Sequence, residues 1–378
     1  MEVLQLIDLA MSKGASDLHL VVSRPPLLRI DGLLEPLDDM PPLDEDDIVR
    51  AFKQITNKGK SKKSTSYNKE QVQFENHLEL DFASTIPGVC RLRCNAAKQR
   101  GTYVLSIRLL PLVVPTVAAL GLPDVCQKLP LEPRGLIMVS GPAGSGKSTT
   151  MAAMINLLNS KTARRVVTVE DPIEYVFPGR KCLITQRELG NDTLSFAQAT
   201  KHVLRQDPDV ILVGELRDYE TAAAVLGLAE TGHLVLTTTH GSNSVQSVER
   251  IIDLFPPYER SQAQSRLASL LVGVLSQALI PRSDGPGRVV AVEVMLANPA
   301  VKSLIREDKI YQLPNAIRSQ GKAGMQLFDH ALVKLYREGL ITYENMLAFC
   351  QDEHEIEQSC KQAQVTGLPS LASAVSQA

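Results

Sequence analysis

A chain of 378 residues exceeds the roughly 100 to 250 that one hydrophobic core usually serves, so two domains are expected. A hydrophobic fraction of 44% with 22% charged residues excludes a disordered chain, and a net charge of −2 with no Trp and 4% aromatics argues against a nucleic-acid partner. The apolar charge-free runs Leu109–Pro123 and Leu267–Pro281 fall short of the roughly 18 residues of a spanning helix, so no helical membrane segment is expected.

The chain opens on MEVLQLIDLAMSKGASD, which has no basic region ahead of an apolar stretch and therefore does not read as a signal peptide; a cytoplasmic location is expected. Val3, Leu6, Ile7, Ala10 and Met11 recur at helical spacing until Gly14 stops them. Leu18–Val22 then reads as a strand, and LLRIDGLLEPL sets Asp31-Gly32 between two apolar runs as a hairpin turn. After a lysine-rich polar stretch, Leu78–Ile86, Val89–Ala97 and Thr102–Leu110 read as three more strands, completing a small α+β domain over 1–110. On the second of these, Cys90 and Cys94 alternate with Arg91 and Arg93 as small buried residues, and the scatter of Cys126, Cys182, Cys350 and Cys360 predicts reduced thiols with no zinc site.

Pro111, Pro115, Pro123, Pro130 and Pro133 make 111–133 the expected linker. Beyond it, strands at Leu136–Ser140, Val166–Glu170, Val210–Gly214 and Leu234–Thr239 alternate with helices after Lys147, around Phe196–Arg205 and over Thr221–Glu230. Apolar strands separated by helices predict a mostly parallel sheet covered on both faces, over 134–298. Only helical periodicities remain from about Pro299 to Phe349, so a helical subdomain is expected over 299–378.

The decisive segment is Gly141-Pro142-Ala143-Gly144-Ser145-Gly146-Lys147-Ser148, followed by Thr149, between the apolar strand LIMVS and a helix. It matches G-x-x-x-x-G-K-[S/T], in which glycines let successive amides converge on phosphate at a helix N-terminus, lysine reaches the β- and γ-phosphates and the hydroxyl takes Mg2+. A glycine-rich turn without ligand is the alternative, and the strand-loop-helix context weighs against it. ATP and Mg2+ are thus the expected ligands.

Hydrolysis also needs a group that orients water and groups that meet charge on the γ-phosphate. Glu170 and Asp171 end one strand, VVTVED, and Glu215 ends another, VILVGE, both at the carboxyl edge where open α/β sheets bind ligands. These suit a water-activating base and a residue orienting Mg2+ or water, with Asp171 reaching the metal through water; the same positions also suit helix N-caps, and spacing does not say which is the base. His233 and His240 flank the strand LVLTTT: His240, at its exit, suits a γ-phosphate sensor, while His233, at its entry, equally suits a hydrogen-bonded core histidine. Arg91, Arg93, Arg100 and Arg108 of the small domain would serve either as a solvated basic face or as arginines that neutralise transition-state charge.

Taken together, GASDLHL, RIDG, RLRCNAAKQRG, GPAGSGKSTT, VEDPIEYVF, RQDPDVILVGELRD, TGHLVLTTTH, VKSLIRE and GMQLFDHAL resemble, in order and across nearly the whole chain, the type IV pilus retraction ATPases, the PilT/PilU branch of the secretion ATPases. The resemblance implies a PAS-like N-terminal domain on a RecA-like core, assembled as a hexamer at the cytoplasmic face of the inner membrane. It further implies an inner-membrane platform protein of the PilC kind as partner and a paralogous retraction ATPase as another. Glu170 is then the first choice for water activation, Glu215 the Walker B acid, and His233 and His240 the histidine box. Arg93 and Arg108 resemble the family's phosphate-sensing arginines, and VKSLIRE its retraction motif. Two positions depart from the usual pattern, Ala143 in place of Thr and Thr239 in place of Leu, and the stretch Gly59–Asn68 matches no motif. Assembly ATPases of the superfamily carry a longer N-terminal region and a tetracysteine motif; neither pattern is read here, which favours retraction. A PilU-like regulatory subunit with little turnover of its own is the alternative.

Overall fold

The computed structural model describes residues 2–30, 32–56 and 69–356, which divide into two units, Met1–Val114 with Asp171–Phe177, and Pro115–Glu170 with Pro178–Ala378. The segment Gly59–Asn68, the turn residue Asp31 and Cys360 lie outside the described residues.

The first unit is an antiparallel sheet carrying three helices. Its strands are β1 (Asp17–Val21), β2 (Leu27–Ile30), β3 (Leu33–Pro36), β4 (Glu79–Ile86), β5 (Cys90–Gln99) and β6 (Thr102–Pro111), in the order β3-β2-β1-β6-β5-β4. Alternation decides which side chains face the helices α1 (Val3–Ser12), α2 (Glu45–Thr56) and α3 (Lys69–His77). Cys90, Leu92, Cys94 and Ala96 of β5 are buried with Leu18, Leu20, Leu28 and Ile107, and with Phe52 and Phe74 from the helices, whose rings lie 5.3 Å apart. Burial pushes the Cys94 thiol far above the ordinary thiol range, which suits a packing role. The two-residue period sends Arg91 and Arg93 to the other face, as the sequence predicts. There the register sets Arg93 opposite Arg108, Arg108 opposite Asp17 and Asp17 opposite Arg29, a row of charges across four strands. Arg108 Nε donates to Asp17 Oδ1 at 2.9 Å. Asp171–Phe177 packs with this unit: Arg91 Nε donates to the Ile173 carbonyl at 2.5 Å and Arg93 lies 3.8 Å from Glu174. The helices α2 and α3 were not legible as elements. The surface residues of α2 are charged and its apolar residues, Ile48, Ala51, Phe52 and Ile55, are few.

The second unit is built on seven strands: β7 (Gly135–Ser140), β8 (Arg165–Glu170), β9 (Leu183–Glu188), β10 (Val210–Val213), β11 (Leu234–Thr238), β12 (Leu271–Pro281) and β13 (Arg288–Leu296). Their order is β13-β12-β7-β11-β10-β8-β9, parallel throughout except for the antiparallel pair β12–β13. Leu136, Met138, Val167, Ile211, Val235 and Val274 share one core with α5 (Phe196–Val203), α6 (Tyr219–Glu230), α7 (Ser244–Asp253), α8 (Arg260–Leu270), α9 (Pro299–Arg306) and α10 (Leu313–Ser319). The alternate residues Ile137, Val139, Val166, Val210 and Leu234 are equally buried on the opposite face, so the central strands read as unbroken apolar runs. β7 also packs against α4 (Lys147–Lys161).

The strands β9, β12 and β13 correct the sequence reading, which has no strand there. β9 is the exposed, polar edge LITQRE, and β12 follows α8 with no breaker between Leu270 and Leu271, so its apolar run has no visible start. Past Val114 the proline-rich segment is tied to the second unit: Cys126, Leu129 and Pro130 are buried, and Arg164 donates to the carbonyls of Leu131 and Glu132 at 3.0 and 2.7 Å. The terminal helices serve two cores. α9 and α10 pack with the central sheet, whereas α11 (Phe328–Arg337) and α12 (Tyr343–Phe349) close over Ile280 and Ala291 through Phe328, Leu332 and Met346.

Candidate functional site

The phosphate-loop sequence lies between β7 and α4 and takes the shape its glycines allow. Gly141, Gly144 and Gly146 have φ of 141°, 76° and 87°, and Gly146 is the left-handed N-cap of α4. A methyl group on Gly141 would run into the Gln277 carbonyl oxygen and come within 2.6 Å of Ser145 Oγ, so this corner tolerates no side chain. Ser145 Oγ is buried without a hydrogen-bond partner. Lys147 Nζ donates to the carbonyls of Gly141 and Pro142 at 2.7 and 3.0 Å, which sets the ammonium across the loop. Ser148 and Thr149 follow in the first turn of α4, with Ser148 exposed. Pro142, Ala143 and Gly144 form the exposed rim. A backbone cradle at the N-terminus of a 15-residue helix, with a lysine over it, fits a nucleotide polyphosphate, and the hard oxygen of Ser148 fits Mg2+.

β12 braces this loop from behind. Gln277, 2% exposed, donates from Nε2 to the Ser145 carbonyl at 2.7 Å and accepts from Thr150 Oγ1 at 2.9 Å. Its neighbour Ser276 joins a buried run of hydroxyls through Ser140 (2.7 Å) to Ser247 (2.8 Å), which ends on the Asn243 carbonyl 2.6 Å away. Asn243 caps α7, just past His240. Sequence reasoning missed Gln277 entirely; its one signal is a neutral amide inside the apolar run LVGVLSQALI.

At the strand exits the structure brings Glu215 and His240 together. His240 Nε2 lies 2.5 Å from Glu215 Oε1, and Arg217 Nη2 lies 2.9 Å from Oε2. Burial pushes the Glu215 carboxyl up, but the hydrogen bonds and charges of Arg217 and His240 outweigh it and hold the group below the ordinary carboxylate value. Arg217 was within a recognised motif but had been given no role. Glu170, at the end of β8, accepts on Oε1 from Thr168 Oγ1 at 2.6 Å and from Gln186 Nε2 at 3.2 Å. Thr168 and Gln186 face each other in the β8–β9 register, so two adjacent strands orient that one oxygen. A positioned, half-buried carboxylate of this kind can take a proton from water.

The remaining residues sit elsewhere. His233 lies at the entry of β11, roughly 20 Å from His240 at the strand's rise per residue; its Nδ1 is 2.9 Å from Thr231 Oγ1 and 3.1 Å from the Leu228 carbonyl, at the end of α6. The structure does not bring it to the loop of its own chain. Asp171 follows Glu170 directly but is grouped with the first unit, as are Arg93 and Arg108. VKSLIRE forms α9, anchored by buried Val301 and Ile305, with Gln264 of α8 donating to the Ile305 carbonyl at 2.7 Å. Among the described residues no cluster of three or more His, Cys, Asp or Glu could hold a metal. None of the described helices is long and apolar enough to cross a membrane.

Residues 121–295 match the family described as type II/IV secretion system protein. The chain is 42% identical to the type IV pilus retraction ATPase PilT of Pseudomonas aeruginosa, over 91% of this chain and 97% of that one. It is 36% identical to the type IV pilus ATPase PilU of the same organism, over 94% and 90% of the two chains. The crystal structure of the pilus retraction motor PilT with bound ADP matches it with a TM-score of 0.84 at 40% identity, covering 95% of this chain and 99% of that one.

Proposed function

The chain belongs to the type IV pilus retraction ATPase family of the secretion ATPases, and from that premise we propose that it hydrolyses ATP to drive the disassembly of a pilus, working as a hexameric ring. The observation that carries this reading is the Gly141–Thr149 cradle at the exit of β7 together with a positioned carboxylate, Glu170, at the exit of β8 on the same edge of the parallel sheet.

In this reading the amides of the loop and Lys147 would hold the β- and γ-phosphates, Ser148 would hold Mg2+, and Asp171 is the proposed residue for its water shell. The metal supplies charge neutralisation on the phosphates when bound. Glu170 orients and deprotonates the attacking water, its carboxylate aimed by Thr168 and Gln186. Glu215 holds His240 beside the γ-phosphate position, so that loss of the phosphate is registered in the His240–Glu215–Arg217 cluster. The roles of Arg93 and Arg108 as phosphate-neutralising arginines, and of His233 in the histidine box, rest on the family resemblance. So do the partners: a platform protein of the PilC kind at the cytoplasmic face of the inner membrane, and a paralogous retraction ATPase. The linker at 111–133 and the domain limits at 134 and 299, read from the prolines and the change of periodicity, are proposed as well.

The test is ATP turnover of the purified chain beside Glu170→Gln and Lys147→Ala, with light scattering of each in Mg-ATP. Hexamers whose turnover is lost in both variants support the motor. Nucleotide binding without turnover in the wild type overturns it in favour of a regulatory subunit with little turnover of its own.

A further inference from the structure

The geometry points to Gln277 as a positioning residue for nucleotide binding, one that presets the phosphate loop from a strand about 130 residues away in sequence. This role rests on the reading of Gly141–Thr149 as the nucleotide cradle and extends that cradle to a residue outside the motif.

A trans peptide is planar, and its C=O and N–H point in opposite directions. Gln277 Nε2 takes the Ser145 carbonyl at 2.7 Å, and so fixes the plane of the Ser145–Gly146 peptide. The N–H of Gly146 is thereby aimed away from β12, off the packed side of the loop. Gly146 needs this restraint more than most residues do, because at φ 87° a glycine is free to rotate into other wells. The other end of the amide is tied down as well. Gln277 Oε1 accepts from Thr150 Oγ1 at 2.9 Å, on the first turn of α4, so one side chain spans the loop and the helix that it caps. The strand itself supplies a third restraint, since the Gln277 carbonyl lies where a side chain on Gly141 would have to go.

Both amide ends are satisfied inside a buried site, with Gln277 and Thr150 each 2% exposed. Removing the amide leaves the Ser145 carbonyl buried and unpaired, a cost that exceeds the net value of an ordinary hydrogen bond. The loop relieves that cost by rotating the peptide, and rotation takes the Gly146 N–H out of the cradle. Ground-state nucleotide binding is therefore what suffers, while the water-activating carboxylate on β8 is untouched.

The experiment uses the full chain with Gln277→Met, which keeps the length and volume of the side chain and removes both polar ends, Gln277→Glu, which keeps the acceptor but sets an oxygen against the Ser145 carbonyl, and Thr150→Val. ADP affinity by calorimetry, KM and kcat for ATP, and the melting temperature are read for each. Gln277→Met is expected to weaken ADP binding and raise KM about tenfold to a hundredfold, with kcat within about threefold. Gln277→Glu should be at least as weak, and Thr150→Val weaker than wild type by about threefold. A packing role for Gln277 predicts instead a silent methionine, and an ADP affinity within twofold of wild type in Gln277→Met overturns the proposal. Should Gln277→Met fail to fold, Thr150→Val decides alone: unchanged ADP affinity in a folded Thr150→Val overturns the proposal. A wild-type chain that binds no ADP overturns the nucleotide reading beneath it, a result distinguishable from equal binding by wild type and variant.

Discussion

The phosphate loop and the strand exits beside it hold polar groups by opposite means. The loop is set by neutral hydrogen bonds in a buried site, from Gln277 and Thr150, with the buried hydroxyls of Ser276, Ser140 and Ser247 behind it. The exits of β10 and β11 are set by charge in a site open to solvent, where the His240 side chain is 35% exposed and Arg217 59%. Neutral buried bonds have no screening and few alternative partners, so they fix one geometry. Exposed ion pairs are weak and exchangeable. Under the proposed function the contrast matches a division of labour: the loop would present the same cradle to every nucleotide, whereas the His240–Glu215–Arg217 cluster would change partners when a γ-phosphate arrives or leaves.

The largest effect expected from breaking this division is on turnover. Glu170→Gln leaves the loop intact and removes the proposed proton acceptor, so kcat should fall about 10² to 10⁴-fold while ADP affinity stays within threefold. Steady-state kinetics beside calorimetry separates the two; a matching loss of ADP affinity would place Glu170 in the binding site rather than in the chemistry. Next in size is Gly141→Ala. The added methyl meets the Gln277 carbonyl and Ser145 Oγ, and the backbone φ of 141° is one that alanine resists. A loss of about 3 kcal/mol is expected from overlap and strain together, measured as a drop in the denaturation midpoint. An alanine variant of wild-type stability would show that the loop is softer than the buried-bond picture allows.

These two predictions also mark what sequence reasoning can reach. Gly141 and Glu170 were legible because a phosphate loop is local: its glycines, lysine and hydroxyl are consecutive, and a carboxylate at the end of an apolar run declares its place at the sheet edge. Gln277 was not, because its partner in space lies far away in sequence and a single amide in an apolar run has no periodicity of its own. The same limit hid β12 and β13, whose antiparallel pairing adds two strands to the sheet without any breaker ahead of Leu271. His233 shows the converse: it shares a motif with His240, yet the strand between them carries it to the opposite edge of the sheet. Spacing set the two histidines at either end of the strand, but it could not say that His240 meets a carboxylate there.

The cluster at the exits should yield smaller numbers. A double-mutant cycle on Glu215→Gln and His240→Gln is expected to give a coupling of about 1 to 2 kcal/mol, read from unfolding without nucleotide. Because its partners hold the Glu215 carboxyl below its ordinary value of 4.5, the native state favours the ionised form. Its stabilising contribution is present above that value and is lost as pH falls through the lower folded value. Wild type should therefore lose its advantage over Glu215→Gln on acidification.

Glu293 provides the finest test, since it is a carboxylate held in the manner of the loop. It lies on β13, 3% exposed, accepting from the Ser244 N–H at 2.6 Å and the Phe328 N–H at 3.3 Å, and so ties the starts of α7 and α11 to the sheet. Burial dominates and pushes its carboxyl above the ordinary value of 4.5, with the two backbone N–H groups opposing. The sign is then the reverse of that at Glu215. The native state binds the proton more tightly than the unfolded chain, so the contribution is complete below 4.5 and is lost as pH rises through the higher folded value. Glu293→Gln should differ from wild type by only about 1 kcal/mol, and the difference should move in the variant's favour as pH rises. Melting temperatures of wild type, Glu215→Gln and Glu293→Gln across pH 4 to 8 should thus show slopes of opposite sign. Slopes of the same sign would mean that burial and ion pairing do not divide these two carboxylates as the geometry says.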